Sequence, residues 1–173
     1  MLIDLEVKGL CESGGLFAVE PLDWRANRER TVYVSRDLHR FLVQPSLDPG
    51  TNDDRRRLQR LFDRFISGDD ISVALRGNIP SSDMKRLSPP SQEVWEFKVR
   101  GRAKRQLRSF GRFIRIDVFV ALTGPVERQH CDYNVEIVRC QQAWAALLPG
   151  CSPVHGSRID DYISAKRISL GDP

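Results

Sequence analysis

The chain has 173 residues, of which 40% are hydrophobic and 29% charged, and a formal net charge of +4. That balance fits one globular domain spanning residues 1–173. No run approaches the ~20 apolar residues of a membrane span. Asp4 and Glu6 stand in the opening MLIDLEVKGL where a secretory leader needs a basic start and an apolar run. A cytoplasmic protein with no membrane partner is expected. Its four cysteines, Cys11, Cys131, Cys140 and Cys151, are then free thiols.

Residues 1–30 carry a short apolar alternation at Leu2, Ile3, Leu5 and Val7, a turn at 11–15 and a second apolar run at 16–19. They read as a hairpin or N-terminal extension. Thr31–Val34 is a compact β-branched strand, and Ser35 is placed to cap a helix over 36–43 with Leu38, Phe41 and Leu42 on one face. Residues 45–50 break the chain. A second helix opens at 51–54 and carries Leu58, Leu61, Phe62, Phe65 and Ile66 as its apolar stripe.

Residues 91–122 read as consecutive strands. Trp95, Phe97 and Val99 alternate with Glu96, Lys98 and Arg100, and Leu107, Phe110 and Phe113 interrupt a run of arginines. Val118–Leu122 is short and apolar, and Thr123–Pro125 reads as the turn after it. Reversals at 100–102 and 114–117 are short enough to join antiparallel neighbours. Asp132 can cap a helix over 133–148, and a last short helix is expected over 159–166. The expected fold class is α+β: an antiparallel β-sheet meander with two N-terminal helices packed on one face and a C-terminal helical extension over 131–173.

Between Met84 and Arg115 ten lysines and arginines face two acids, a surplus of +8 that leaves the other residues at −4. One basic, aromatic-interleaved sheet region on a mildly acidic protein points to a polyanion, with RNA or other nucleic acid the foremost partner. The alternative is a solvated sheet face whose arginines pair with local carboxylates. No C-x2-C pair, phosphate-binding glycine loop, serine-nucleophile elbow or H-E-x-x-H occurs. Neither a metal nor a cofactor is therefore expected, and Cys151-x3-His155 is the nearest approach to a ligand set.

The order strand, helix, helix, meander, with Glu96…Arg100, Arg108…Phe113 and Val118–Leu122 in succession, resembles the RelE/ParE toxin superfamily over about residues 31–130. The Lys-Lys pair common after the last strand of that superfamily is absent here, and Arg128 and His130 stand nearby. The resemblance implies a small toxin or toxin-derived protein that binds RNA, cleaves it without metal, and meets an antitoxin protein or the ribosome.

Cleavage through the 2′-hydroxyl needs a base, an acid and cations for the phosphorane charge, and arginine supplies only the last. Arg112 is assigned to the phosphate in that reaction, His130 to proton transfer because its ordinary pKa suits neutral pH, and Tyr133 as a further proton carrier. Lys98, Arg100, Arg102, Lys104, Arg105, Arg108, Arg115 and Arg128 are the expected nucleic-acid contacts. Two other functions use the same residues: a non-catalytic nucleic-acid-binding or regulatory protein, and an interaction module whose basic face meets an acidic protein.

Overall fold

The computed structural model describes residues 2–23, 25–77, 79–101, 105–164 and 167–170. Its frame is an eight-stranded mixed sheet in the order β1-β2-β7-β6-β5-β4-β3-β8. In chain order these are β1 (Leu16–Ala18), β2 (Thr31–Ser35), β3 (Ile71–Ala74), β4 (Met84–Arg86), β5 (Trp95–Arg100), β6 (Gln106–Arg115), β7 (Val118–Glu127) and β8 (Arg167–Leu170). The helices are α1 (Leu2–Glu12), α2 (Arg36–Val43), α3 (Pro49–Ile66) and α4 (Tyr133–Leu147).

This corrects the expected architecture in two respects. The β5–β6–β7 run is antiparallel, but it lies inside a mixed sheet. β2 runs parallel to β7, and β3 runs parallel to both β4 and β8. The chain leaves β2 through α2 and α3 to β3 near the far edge of the sheet, and after β4, β5 and β6 it comes back beside β2 as β7, in the same direction. Helices also cover both faces. Alternation within a strand says which side chains share a face, but not which strand lies beside it or in which direction.

On one face α2 and α3 bury Leu38, Leu42, Leu58, Phe62, Phe65 and Ile66 against Val32, Val34, Trp95, Phe97, Phe113 and Phe119. The aromatic rings meet edge-on: Phe97 lies 5.2 Å from Phe62 and 5.0 Å from Phe119. On the other face α1 and α4 contribute Val7, Ile137, Cys140 and Trp144, packed with Leu148 just past α4 and with Phe110, Ile114, Val118 and Val120.

Local signals set the helix ends. Ser35 accepts the Leu38 N–H at the start of α2, and Asp132 accepts the Asn134 and Val135 N–H groups at the start of α4. α3 begins earlier than its acids suggested. Asp48 caps it and Pro49 fills the first turn, where proline's missing N–H costs nothing.

Three further expectations are corrected. Residues 2–12 form a helix where a hairpin or N-terminal extension was expected: Val7, Leu10 and Cys11 pack at helical spacing while Leu5 faces solvent. Gly124-Pro125 lies within β7, where a turn was expected. β2 pairs with β7 only as far as Ala121, so the N–H that Pro125 lacks has no ladder to complete on that side. Residues 159–161 make a single 3-10 turn in place of the expected last helix.

Gly111 in β6 is required by packing. A Cβ there would lie 2.1 Å from the Val120 carbonyl oxygen and 2.6 Å from the Phe119 ring. Among the described residues no helix is long and apolar enough to cross a membrane.

Candidate functional site

The face under α4 is not wholly apolar. Where α4 begins, it leaves open a pocket of about 410 Å³ over β4, β5 and β6, lined by Lys85, Glu96, Lys98, Arg108, Arg128 and Tyr133 among others. Register builds it: Lys85 lies directly opposite Glu96, and Lys98 directly opposite Arg108. Like charges facing each other across a strand pair are unfavourable, and here both are nearly buried, Lys98 at 6% exposure and Arg108 at 5%.

Glu96, 2% exposed, holds the pair together. Its Oε2 lies 3.0 Å from Arg108 Nε, an ion pair without the alignment of a hydrogen bond, and its Oε1 lies 3.9 Å from Lys98 Nζ. The Tyr133 hydroxyl donates to Glu96 Oε2 at 3.3 Å. Arg108 spends its other nitrogens on the Leu107 carbonyl and on Gln106 Oε1, both at 2.9 Å. Lys98 Nζ donates to the Ile79 carbonyl and to Ser82 Oγ, both at 2.7 Å.

One carboxylate thus serves two buried cations, with Lys85 and the exposed Arg128 adding positive charge at the walls. Burial pulls the Lys98 ammonium down to about 8, against the opposing pull of Glu96. Burial, then the Glu96 charge, raises the Tyr133 phenol. The pocket therefore offers an anion fixed positive charge and, in Lys98, an amine that exchanges a proton near neutral pH.

The expected contact residues divide into groups. Lys98, Arg108, Arg128 and Tyr133 share the pocket. Arg112 is not one of its lining residues: it is 8% exposed, donates to the Gln92 carbonyl and places its guanidinium 5.4 Å from the Trp144 ring centre. The basic side chains of β5 and β6 thus do not form one open face, because α4 lies across part of them.

Arg100 donates to the Pro80 and Ser81 carbonyls at the surface. Arg105 bridges Asp54 at 3.1 Å and Glu127 at 2.8 Å, and Arg115 pairs with Asp4. His130 is exposed, with Nδ1 3.6 Å from Glu127 Oε2, and is not among the pocket's lining residues. Arg102 and Lys104 lie outside the described residues.

Sequence reasoning passed over Lys85 and the part Glu96 plays. The single acid inside a basic strand was a visible signal for Glu96. Lys85 had none, because its neighbour in space is eleven residues away in sequence. Among the described residues, no three His, Cys, Asp or Glu side chains gather as a metal ion would need. No family model, no curated protein and no solved structure matches the chain.

Proposed function

We propose that the pocket at Glu96 binds a phosphodiester of RNA and that the chain acts as a RelE-like ribonuclease. The observation that carries this reading is the burial of Lys98 directly opposite Arg108 with only Glu96 between them, in a pocket open to solvent. Two buried cations sharing one carboxylate are costly for a structural ion pair and well suited to receiving a second anion. The family part of the reading rests on the motif residues Glu96…Arg100, Arg108…Phe113 and Val118–Leu122 alone.

In this reading Arg108, with Arg128 and Lys85, holds the phosphate. Neutral Lys98 accepts the proton of the 2′-hydroxyl, whose oxygen attacks phosphorus. The bond to the 5′-oxygen breaks, and that oxygen takes a proton from Tyr133 or water, leaving a 2′,3′-cyclic phosphate.

The test measures binding and cleavage of a single-stranded RNA by the full chain. Arg108→Gln should weaken binding and reduce the slope of log affinity against log salt by ~0.7 for the lost phosphate contact. Lys98→Met should slow cleavage ~10²–10⁴-fold. RNA affinity insensitive to salt and to Arg108→Gln would overturn the reading. RNA that binds at the pocket but stays intact would leave a binding protein without the chemistry.

A further inference from the structure

Arg86 follows Lys85 along β4, and Lys85 lines the Glu96 pocket, so the Arg86 side chain leaves the strand on the opposite face. It is 4% exposed and lines a recess of about 1050 Å³ between the β4–β5 connection, the end of β6 and residues 154–161. Three acceptors crowd onto one of its nitrogens: Nη1 donates to Glu93 Oε1 at 3.2 Å, to the Gly156 carbonyl at 2.7 Å and to the Tyr162 hydroxyl at 2.8 Å. Nε is buried with no partner, and Nη2 has none among the described residues.

A guanidinium normally spreads its five donors over a planar fork, and the Nε–Nη2 edge is the one that takes a carboxylate or phosphate through two parallel bonds. Here that edge is unused. The acids of the recess are already engaged: Tyr162 donates to Glu93 at 2.7 Å, and Asp161 accepts the Ser157 and Arg158 N–H groups at 2.8 and 2.9 Å. The recess therefore has little to offer a cation. At its rim Arg76 is exposed and has no ion pair or hydrogen bond among the described residues. Ile114, Ile116 and Val154 give it apolar wall, with Ile116 half open to solvent.

We propose that this recess binds a small organic anion, its carboxylate or phosphate head on the Nε–Nη2 edge of Arg86 and on Arg76, its apolar body along Ile114, Ile116 and Val154. The size suits such a ligand, since small-molecule sites commonly enclose ~300–1,000 Å³. The site shares no lining residue with the Glu96 pocket, so it stands or falls independently of the ribonuclease reading.

The experiment titrates benzoate and phenyl phosphate into the full chain, following backbone and arginine Nε–H resonances by NMR and affinity by calorimetry. Saturable shifts at Arg86, Val154 and Gly156 are expected, and the probe that binds assigns the head group as carboxylate or phosphate ester. Arg76→Glu, a change at an exposed residue whose side chain holds nothing in place, should weaken binding about tenfold or more. Lys98→Gln should leave it within about twofold, because that residue lines the other pocket. Failure of both probes to saturate by about 10 mM would overturn the proposal. So would an affinity unmoved by Arg76→Glu or abolished by Lys98→Gln.

Discussion

The two faces of the sheet are built from the same strands and buried by opposite means. Beneath α2 and α3 lie Trp95, Phe97, Phe113 and Phe119, an aromatic layer held by water exclusion and ring packing, with the buried Arg86–Glu93 pair at its margin. Beneath α4 the same β5 and β6 bury Glu96, Lys98, Arg108 and Arg112 beside Phe110 and Ile114. Charges taken out of water repay their desolvation poorly. A face that stability alone shaped would carry fewer of them, and four such residues on two adjacent strands mark the α4 face as shaped by more than stability.

The comparison breaks most sharply by substitution on each face. Phe97→Ala should destabilise the protein by ~3–5 kcal/mol, because a fully buried ring leaves a cavity among the rings of Phe62, Phe65 and Phe119. Glu96→Gln should cost a similar ~3–5 kcal/mol for another reason: it leaves Lys98 facing Arg108 with no counter-charge.

Denaturation at two pH values separates these causes. Lys98 holds its proton below about 8 in the folded chain and up to ~10.4 when unfolded. Between those values the unfolded chain binds the extra proton, so stability rises with pH through that window. Without Glu96 the amine loses its proton earlier still. The deficit of Glu96→Gln should therefore shrink from pH 7 to pH 9, while that of Phe97→Ala stays constant. Equal deficits at both pH values would mean that Lys98 and Arg108 do not strain the fold.

A smaller effect of opposite sign sharpens the contrast. Lys98→Met keeps the length of the side chain and removes one buried cation, leaving Glu96 paired with Arg108 at 3.0 Å and with Tyr133. Thermal unfolding should show stability unchanged or raised, on the order of 1 kcal/mol. The lost bonds to Ile79 and Ser82 work against the gain. A drop of several kcal/mol would show that Lys98 anchors the 79–82 segment and that its burial is structural.

How much of this was legible follows from what is local. The alternation of Trp95, Phe97 and Val99 sorted β5 correctly into a ring-bearing side and a charged side, and Ser35 and Asp132 cap the helices they announce. Each of those signals acts within a few residues. β2 meets β7, and β3 meets β8, across more than eighty residues of chain, so those parallel pairs left no local trace. The same limit governs the site. Lys98 and Arg108 stood out as cations on adjacent strands, but that they meet face to face depends on register. That they are buried depends on a helix beginning at Tyr133. Arg86, Glu93 and Tyr162 converge from three stretches of chain with no shared motif.

The smallest expected effect on the fold belongs to His130, and it decides which group moves the proton. Its side chain is 70% exposed, and Glu127, its ion-pair partner among the described residues, already binds Arg105 and Gln129 at 2.8 Å each. His130→Ala should therefore shift stability by less than ~0.5 kcal/mol and leave RNA affinity within about twofold. Its cleavage profile carries the information. If Lys98 is the base, the rate rises with pH through an apparent pKa near 8, and His130→Ala leaves that curve in place. If His130 is the base, the rate collapses in His130→Ala with affinity intact, and the Glu96 pocket serves only to hold the phosphate. A single pH–rate series on the wild type, Lys98→Met and His130→Ala therefore assigns the proton to the buried amine or to the exposed imidazole.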